Sequence, residues 1–209
     1  ILLLVFYGAG KSSFVHAGII PRLRARGGWM VLAMRPGSRP FDTLALRLSR
    51  GDPQRSGGSG GRESIAPDDG SRAHMLQTSP RLLSIELREL AERENASVLL
   101  FVDQLEELFT LVADEDVQRR FIEALSSAAD DPEEPVRIVL ACRHDFVDRL
   151  AGLGATGQLL SRFVVLNAPD ADALRRMIAE PLERVGYRFE DPDLVAQMVT
   201  AVQGEPACL

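Results

Sequence analysis

The sequence predicts an α/β fold: a five-stranded, mainly parallel sheet flanked by helices, followed by the start of a smaller helical subdomain. Three observations predict it. Five short apolar runs alternate with amphipathic stretches along the chain, the order that produces parallel strands with helices on both faces. Those runs are continuous rather than alternating in polarity, as buried parallel strands are. Residues with phosphate and metal chemistry fall just past the runs, where ligands of open α/β sheets sit.

Ile1 to Phe6 reads as the first buried strand, broken by Tyr7-Gly8-Ala9-Gly10. Lys11 to about Arg26 has a helical pattern with Phe14, Val15, Ile19 and Leu23 near one face, and Gly27-Gly28 ends it. Trp29 to Met34 is a second strand, followed by the turn Arg35-Pro36-Gly37 and a helix from about Phe41 to Arg50. Residues 51–71 are rich in Gly, Ser, Asp and Pro and poor in large apolar residues, the composition of a flexible insertion without chemistry of its own. Helix resumes near Arg72 and runs to about Asn95, interrupted at Pro80. Val98 to Val102 is a strand ended by Asp103, and Leu105 to Ala129 is helical. Val136 to Cys142 is the fourth strand, Asp145 to Gly152 a helix and Phe163 to Leu166 the fifth strand. Helices over Ala171 to Val185 and Asp191 to Val202 close the chain. The expected division is a core over residues 1–168 and the beginning of a helical lid over 169–209.

Composition narrows the class. With 45% hydrophobic and 26% charged residues the chain reads as soluble and globular. Acidic residues outnumber basic ones by 30 to 24, for a net charge of −6, which makes nucleic acid an unlikely partner because its binders carry a basic footprint. Cys142 and Cys208 stand far apart, neither a disulfide framework nor a metal-ligand spacing, and read as small buried hydrophobes. His16, His74 and His144 form no metal-binding pair. No apolar run approaches the roughly 20 residues that cross a bilayer, and the opening run lacks the flanks of a signal peptide. No membrane association is expected, and a cytoplasmic location is the default. The first residue is not Met and opens inside an apolar run, which reads as a fragment.

Strand, then Gly8-Ala9-Gly10-Lys11-Ser12-Ser13, then helix, is the context of a Walker A phosphate loop. Glycines turn backbone N–H groups toward phosphate oxygens, and the helix N-terminus adds its positive dipole end. Lys11 suits the β- and γ-phosphates, the Ser12 hydroxyl suits Mg²⁺, and Ser13 suits the α-phosphate side. The pattern asks for glycine at position 5, where Val5 stands, and a β-branched residue resists positive φ. Three readings of the loop stand: it binds nucleotide, it is a degenerate loop that does not, or the first residues are not the protein's own.

Val98 to Asp103 is a Walker B pattern, an apolar strand ending in a carboxylate. Asp103 would hold Mg²⁺ through water or hydrogen-bond Ser12, since Mg²⁺ takes one or two carboxylates plus phosphates. Glu106 is the first choice, and Glu107 the second, for the carboxylate that orients or deprotonates the attacking water; both also fit as acids at a helix start. Arg143, at the end of the fourth strand, would lie beside the γ-phosphate or pair on the surface with Asp145. Gly204-Glu205-Pro206 is a helix stop and turn.

Taken together, GKSSFVHAGIIPRL, WMVLAMRPG, LLFVDQLEELFT, RIVLACRHDFVDRL and GEPA resemble the novel STAND NTPase family, a branch of the STAND ATPases related to NACHT and NB-ARC switch proteins. The resemblance spans the chain except the insertion. It implies a P-loop NTPase that binds ATP or ADP with Mg²⁺, hydrolyses slowly as a signalling switch, and is followed by sensor repeats that bring protein partners or self-association. It carries phosphate binding to Gly8, Gly10, Lys11, Ser12 and Ser13, and, within the same loop, Ala9. It carries Mg²⁺ to Ser12 and Asp103, catalysis to Glu106 or Glu107, the sensor role to Arg143, and the nucleotide contact of the lid to Gly204 and Pro206. Val5 departs from the family glycine. The rival readings are a scaffold that has lost turnover and works through protein contacts, and a nucleic-acid motor of the helicase or AAA type, which the acidic balance disfavours.

Overall fold

A computed structural model describes residues 2–5, 10–51, 69–129, 135–153, 163–166 and 169–202. Its strands are β1 (Leu2–Val5), β2 (Trp29–Met34), β3 (Ser97–Val102), β4 (Val136–Arg143) and β5 (Phe163–Leu166), in the spatial order β2-β3-β4-β1-β5. Every pairing is parallel, with Met34 opposite Val102, Val102 opposite Leu140 and Val5 opposite both Arg143 and Leu166. Parallel register brings the carboxyl ends of all strands to one rim. β4 separates β1 from β3, so the end of β4 stands between the phosphate loop and Asp103.

The buried core rests on β2, β3 and β4, and pleating divides it in two. Leu32, Leu100 and Leu140 belong to the larger cluster on one face, with Phe41, Leu87, Phe121 and Leu125. Val31, Leu99, Val139 and Ala141 face the other way and join Val15 and Ile20. The first face is covered by α3 (Pro40–Arg50), α4 (Asp69–Thr78), α5 (Leu82–Glu94) and α7 (Glu115–Ala128). The second is covered by the segment that follows the phosphate loop. Cys142 is fully buried in β4; Cys208 lies outside the described residues.

Two expected helices are interrupted. Residues 11–26 form α1 (Lys11–Ser13), a π-helical stretch (Phe14–Ile19) and α2 (Ile20–Arg26). Pro21 opens α2, and a proline ring clashes with the carbonyl four residues back in a regular α-helix; the wider π turns end where that clash would fall. Residues 105–129 split into α6 (Glu107–Thr110) and α7. Asp114 starts α7 anew, its Oδ1 accepting from the N–H groups of Asp116 at 2.9 Å and Val117 at 3.3 Å, an N-cap that overrides the continuous apolar pattern. α4 begins at Asp69, three residues before the helix start expected at Arg72; the rest of the insertion lies outside the described residues. Beyond β4 come a 3₁₀ turn (His144–Phe146), α8 (Val147–Gly152), α9 (Ala171–Arg184) and α10 (Pro192–Val202). None of the described helices is long and apolar enough to cross a membrane.

Candidate functional site

Four of the expected site residues meet at the carboxyl rim of the sheet. Gly10 takes φ 70° and caps α1, a left-handed turn that suits glycine. It sets Lys11 and Ser12 into the first helical turn, facing the end of β3. The Ser12 hydroxyl donates to Asp103 Oδ1 at 2.7 Å, across 91 positions of sequence. Lys11 Nζ lies 3.2 Å from Glu106 Oε1. Both side chains are mostly buried, 19% and 13% exposed, so their attraction is less screened than on an open surface.

β3 delivers these acids through a strained step. The Asp103 N–H donates to Met34 O at 2.8 Å, extending the ladder with β2. Gln104 then takes φ 52°, uncommon for a residue with a Cβ. The Leu105 N–H donates to Ala141 O at 2.9 Å. The chain is thus stitched to β2 on one side and β4 on the other, and the kink between turns Glu106 back toward Lys11. Glu106 Oε2 accepts from the Arg143 N–H at 3.3 Å.

The two adjacent glutamates have different destinations. Glu107 Oε2 accepts from the Gly37 N–H at 3.0 Å and so holds the turn after β2. Arg143 joins the rim through its backbone, while its guanidinium binds Asp145 by two bonds, Nε to Oδ1 at 3.0 Å and Nη2 to Oδ2 at 2.5 Å. It also lies 5.5 Å from the centre of the Phe146 ring. The hydrogen bond from Arg143 is the main cause that holds the Asp145 carboxyl below its usual range. The surface pairing with Asp145 is therefore the arrangement present. Ser13 is exposed in the first turn of α1. Gly8, Ala9, Gly204 and Pro206 lie outside the described residues.

The position of Val5 answers the objection raised by its side-chain type. Val5 is the last residue of β1, paired in register with Arg143 and Leu166. It is a strand residue, and the positive-φ non-glycine residues described are Asn95 and Gln104.

One residue that sequence reasoning missed completes the rim. Arg35, at the tip of β2, places Nε 3.4 Å from Asp103 Oδ2. Cys142 lies below, its thiol pushed up to about 12, first by burial and then by the charge of Glu106. The WMVLAMRPG run carries Arg35, and a basic residue one step past a strand opposite an acidic strand end was the available signal.

The donor set suits Mg²⁺. Asp103 is 3% exposed, and its Oδ2 accepts no hydrogen bond among the described residues. A buried carboxylate oxygen so placed, beside a serine hydroxyl, is the pair of hard oxygen donors that Mg²⁺ uses along with phosphates. No group of three or more His, Cys, Asp or Glu with metal-site geometry occurs among the described residues.

No curated protein matches the chain. Among solved structures it resembles the ORC1 protein of Aeropyrum pernix in complex with DNA, with a TM-score of 0.58 at 19% identity, covering 98% of this chain and 49% of that one. A second is the ORC2 protein of Aeropyrum pernix in ADPNP–ADP complexes, at TM-score 0.48 and 15% identity, covering 87% of this chain and 45% of that one. The ORC1 likeness is one of fold, and the chain spans about half the length of that protein. The expectation that nucleic acid is an unlikely partner finds no support in it. A family model described as Novel STAND NTPase 1 matches residues 2–209. Phosphate-loop lysine, hydroxyl and strand-end carboxylate thus occur together on a chain that belongs to the Novel STAND NTPase 1 family.

Proposed function

We propose that this chain binds ATP and ADP with Mg²⁺ at the carboxyl rim of its sheet and works as a regulatory switch with slow hydrolysis. The observation that carries the reading is the contact pair joining the phosphate loop to the acidic strand end: Ser12 to Asp103 at 2.7 Å and Lys11 to Glu106 at 3.2 Å. Gly8, Ala9, Gly10, Lys11, Ser12 and Ser13 are assigned to the phosphates. Ser12 and Asp103 are assigned to Mg²⁺, which when bound neutralises charge on the β- and γ-phosphates.

Lys11 has three donor hydrogens. It can bind phosphate oxygens while one hydrogen still holds Glu106. Glu106, fixed by Lys11 and by the Arg143 N–H, is assigned as the base. It takes a proton from the water whose oxygen attacks the γ-phosphorus; the bond to the bridging oxygen breaks, and ADP and phosphate leave. Glu107 is assigned a positioning role, since its carboxylate is committed to Gly37. Arg143 serves as the sensor only by exchanging Asp145 for phosphate. Residues 1–168 are read as the core and 169–209 as the start of a lid, with Pro206 meeting the nucleotide and protein partners or self-association reading out the state.

Isothermal calorimetry of the full-length protein tests this. Mg-ATP should bind, and Lys11→Ala should weaken binding by about 100-fold, the worth of a charge-assisted contact in a partly buried site. Absence of binding to the wild type would leave the scaffold reading in place. Turnover stimulated by duplex DNA would instead favour the nucleic-acid motor.

A further inference from the structure

Among the described residues, three cations at the rim each face a carboxylate: Lys11 with Glu106, Arg143 with Asp145, and Arg35 with Asp103. The third pair differs from the others. Arg143 grips Asp145 at hydrogen-bond distance with two nitrogens. Arg35 approaches Asp103 Oδ2 no closer than an Nε distance of 3.4 Å, and that oxygen accepts no hydrogen bond among the described residues. The partners are also unequal. The Asp103 side chain is 4% exposed and that of Arg35 is 59% exposed. A buried carboxylate is costly without a counter-charge, whereas a mostly solvated guanidinium loses little by leaving.

Resting on the nucleotide reading above, we propose that Arg35 is the stand-in cation of the magnesium site: it neutralises Asp103 Oδ2 in the resting state and is displaced when Mg²⁺ arrives. Both cations would stand against the same buried oxygen, where two positive charges repel each other, so the arrival of the metal disfavours the guanidinium. Ser12 on Oδ1 is not in competition, because its hydroxyl oxygen keeps lone pairs free for the metal while it donates to Asp103. The Asp103 N–H bond to Met34 O, at 2.8 Å, fixes the residue before Arg35 against the strand end, so the guanidinium returns to the same oxygen when the metal leaves. Arg35 acts through Asp103 and is a positioning residue. It also starts the Arg35-Pro36-Gly37 turn, whose Gly37 N–H is held by Glu107. The turn after β2 is therefore tied to the acidic run at two points, and metal arrival loosens one of them.

The test titrates Mg²⁺ into the full-length protein with a fluorescent ATP derivative at fixed concentration. Melting temperature is read in parallel in chelator alone. Arg35→Gln should lower the Mg²⁺ midpoint by about two- to five-fold, the range of a partly exposed ion pair. It should also lower the melting temperature in chelator, and saturating Mg²⁺ with ATP should bring the variant level with wild type. Arg35→Lys, which keeps the charge, should return the midpoint most of the way. If the wild type binds and Arg35→Gln leaves the midpoint unchanged or raises it, the stand-in role is wrong and the nucleotide site survives. If the wild type shows no Mg²⁺-dependent binding of the ATP derivative, the nucleotide reading falls and the stand-in role falls with it.

Discussion

Helices α7 and α9 are alike in sequence and unlike in place. Each has 14 residues, each is amphipathic, and each starts on an aspartate whose side chain accepts from the first turn. α7 buries Gln118, Phe121, Ile122, Ala124, Leu125 and Ala128. α9 buries only Leu174, and Met177 stands 54% exposed. Amphipathicity therefore records that a face is built to be covered, without saying by what. α7 finds its cover within the described core. The α9–α10 pair shows Leu194 and Met198 exposed as well.

The largest expected effect sharpens that contrast. Phe121→Ala should cost about 3–5 kcal/mol in chemical denaturation, as truncation of a fully buried aromatic does. Met177→Ala should stay within about 0.5 kcal/mol in the same experiment. Equal costs would break the comparison and show α9 packed as firmly as α7.

The rim repeats the lesson at the scale of two neighbours. Glu106 faces Lys11, and Glu107 faces Gly37. Glu106→Gln should keep the fold and slow ATP hydrolysis by about 100-fold or more, the range of general-base catalysis. Glu107→Ala should destabilise by about 1–2 kcal/mol, since a partly buried N–H loses its acceptor, with a smaller effect on hydrolysis. The reverse pattern would exchange the two assignments.

Cys142 gives the smallest effect near neutral pH. Its pKa is raised from 9.0 to about 12 in the fold by burial and then by Glu106. The unfolded chain therefore releases the proton first, and stability is kept below about pH 9 and falls as pH rises from there toward about 12. Subtracting the pH profile of Cys142→Ala from that of the wild type should isolate this loss, and identical profiles would exclude it.

Much of this was legible in the sequence. Continuous apolar runs located β2 and β5 to the residue and β3 and β4 to within one; β2, β3 and β4 are buried on both faces, which allows few polar residues, whereas Val164 and Val165 of the edge strand β5 stand exposed. The meeting of Ser12 with Asp103 was legible because a Gly-Lys-Ser turn after one strand and an aspartate ending another fall at the same rim of a parallel sheet. Local conflicts hid the rest. The π turns before Pro21 and the cap at Asp114 interrupt stretches whose apolar spacing looks continuous. The destinations of Glu106 and Glu107 depend on the left-handed Gln104, which no residue pattern announces. Arg35 was overlooked because a single arginine in a turn is common, and only the parallel register of β2 with β3 sets it beside Asp103.

The proposed site requires Ser12 and Asp103 to act as one magnesium-nucleotide unit. A double-mutant cycle on Mg-ATP affinity, with Ser12→Ala, Asp103→Asn and both together, measures it directly. Strong coupling is expected: either single change removes most of the affinity, and the second adds less than about 0.5 kcal/mol. Full additivity, or undiminished binding by the double variant, would contradict it.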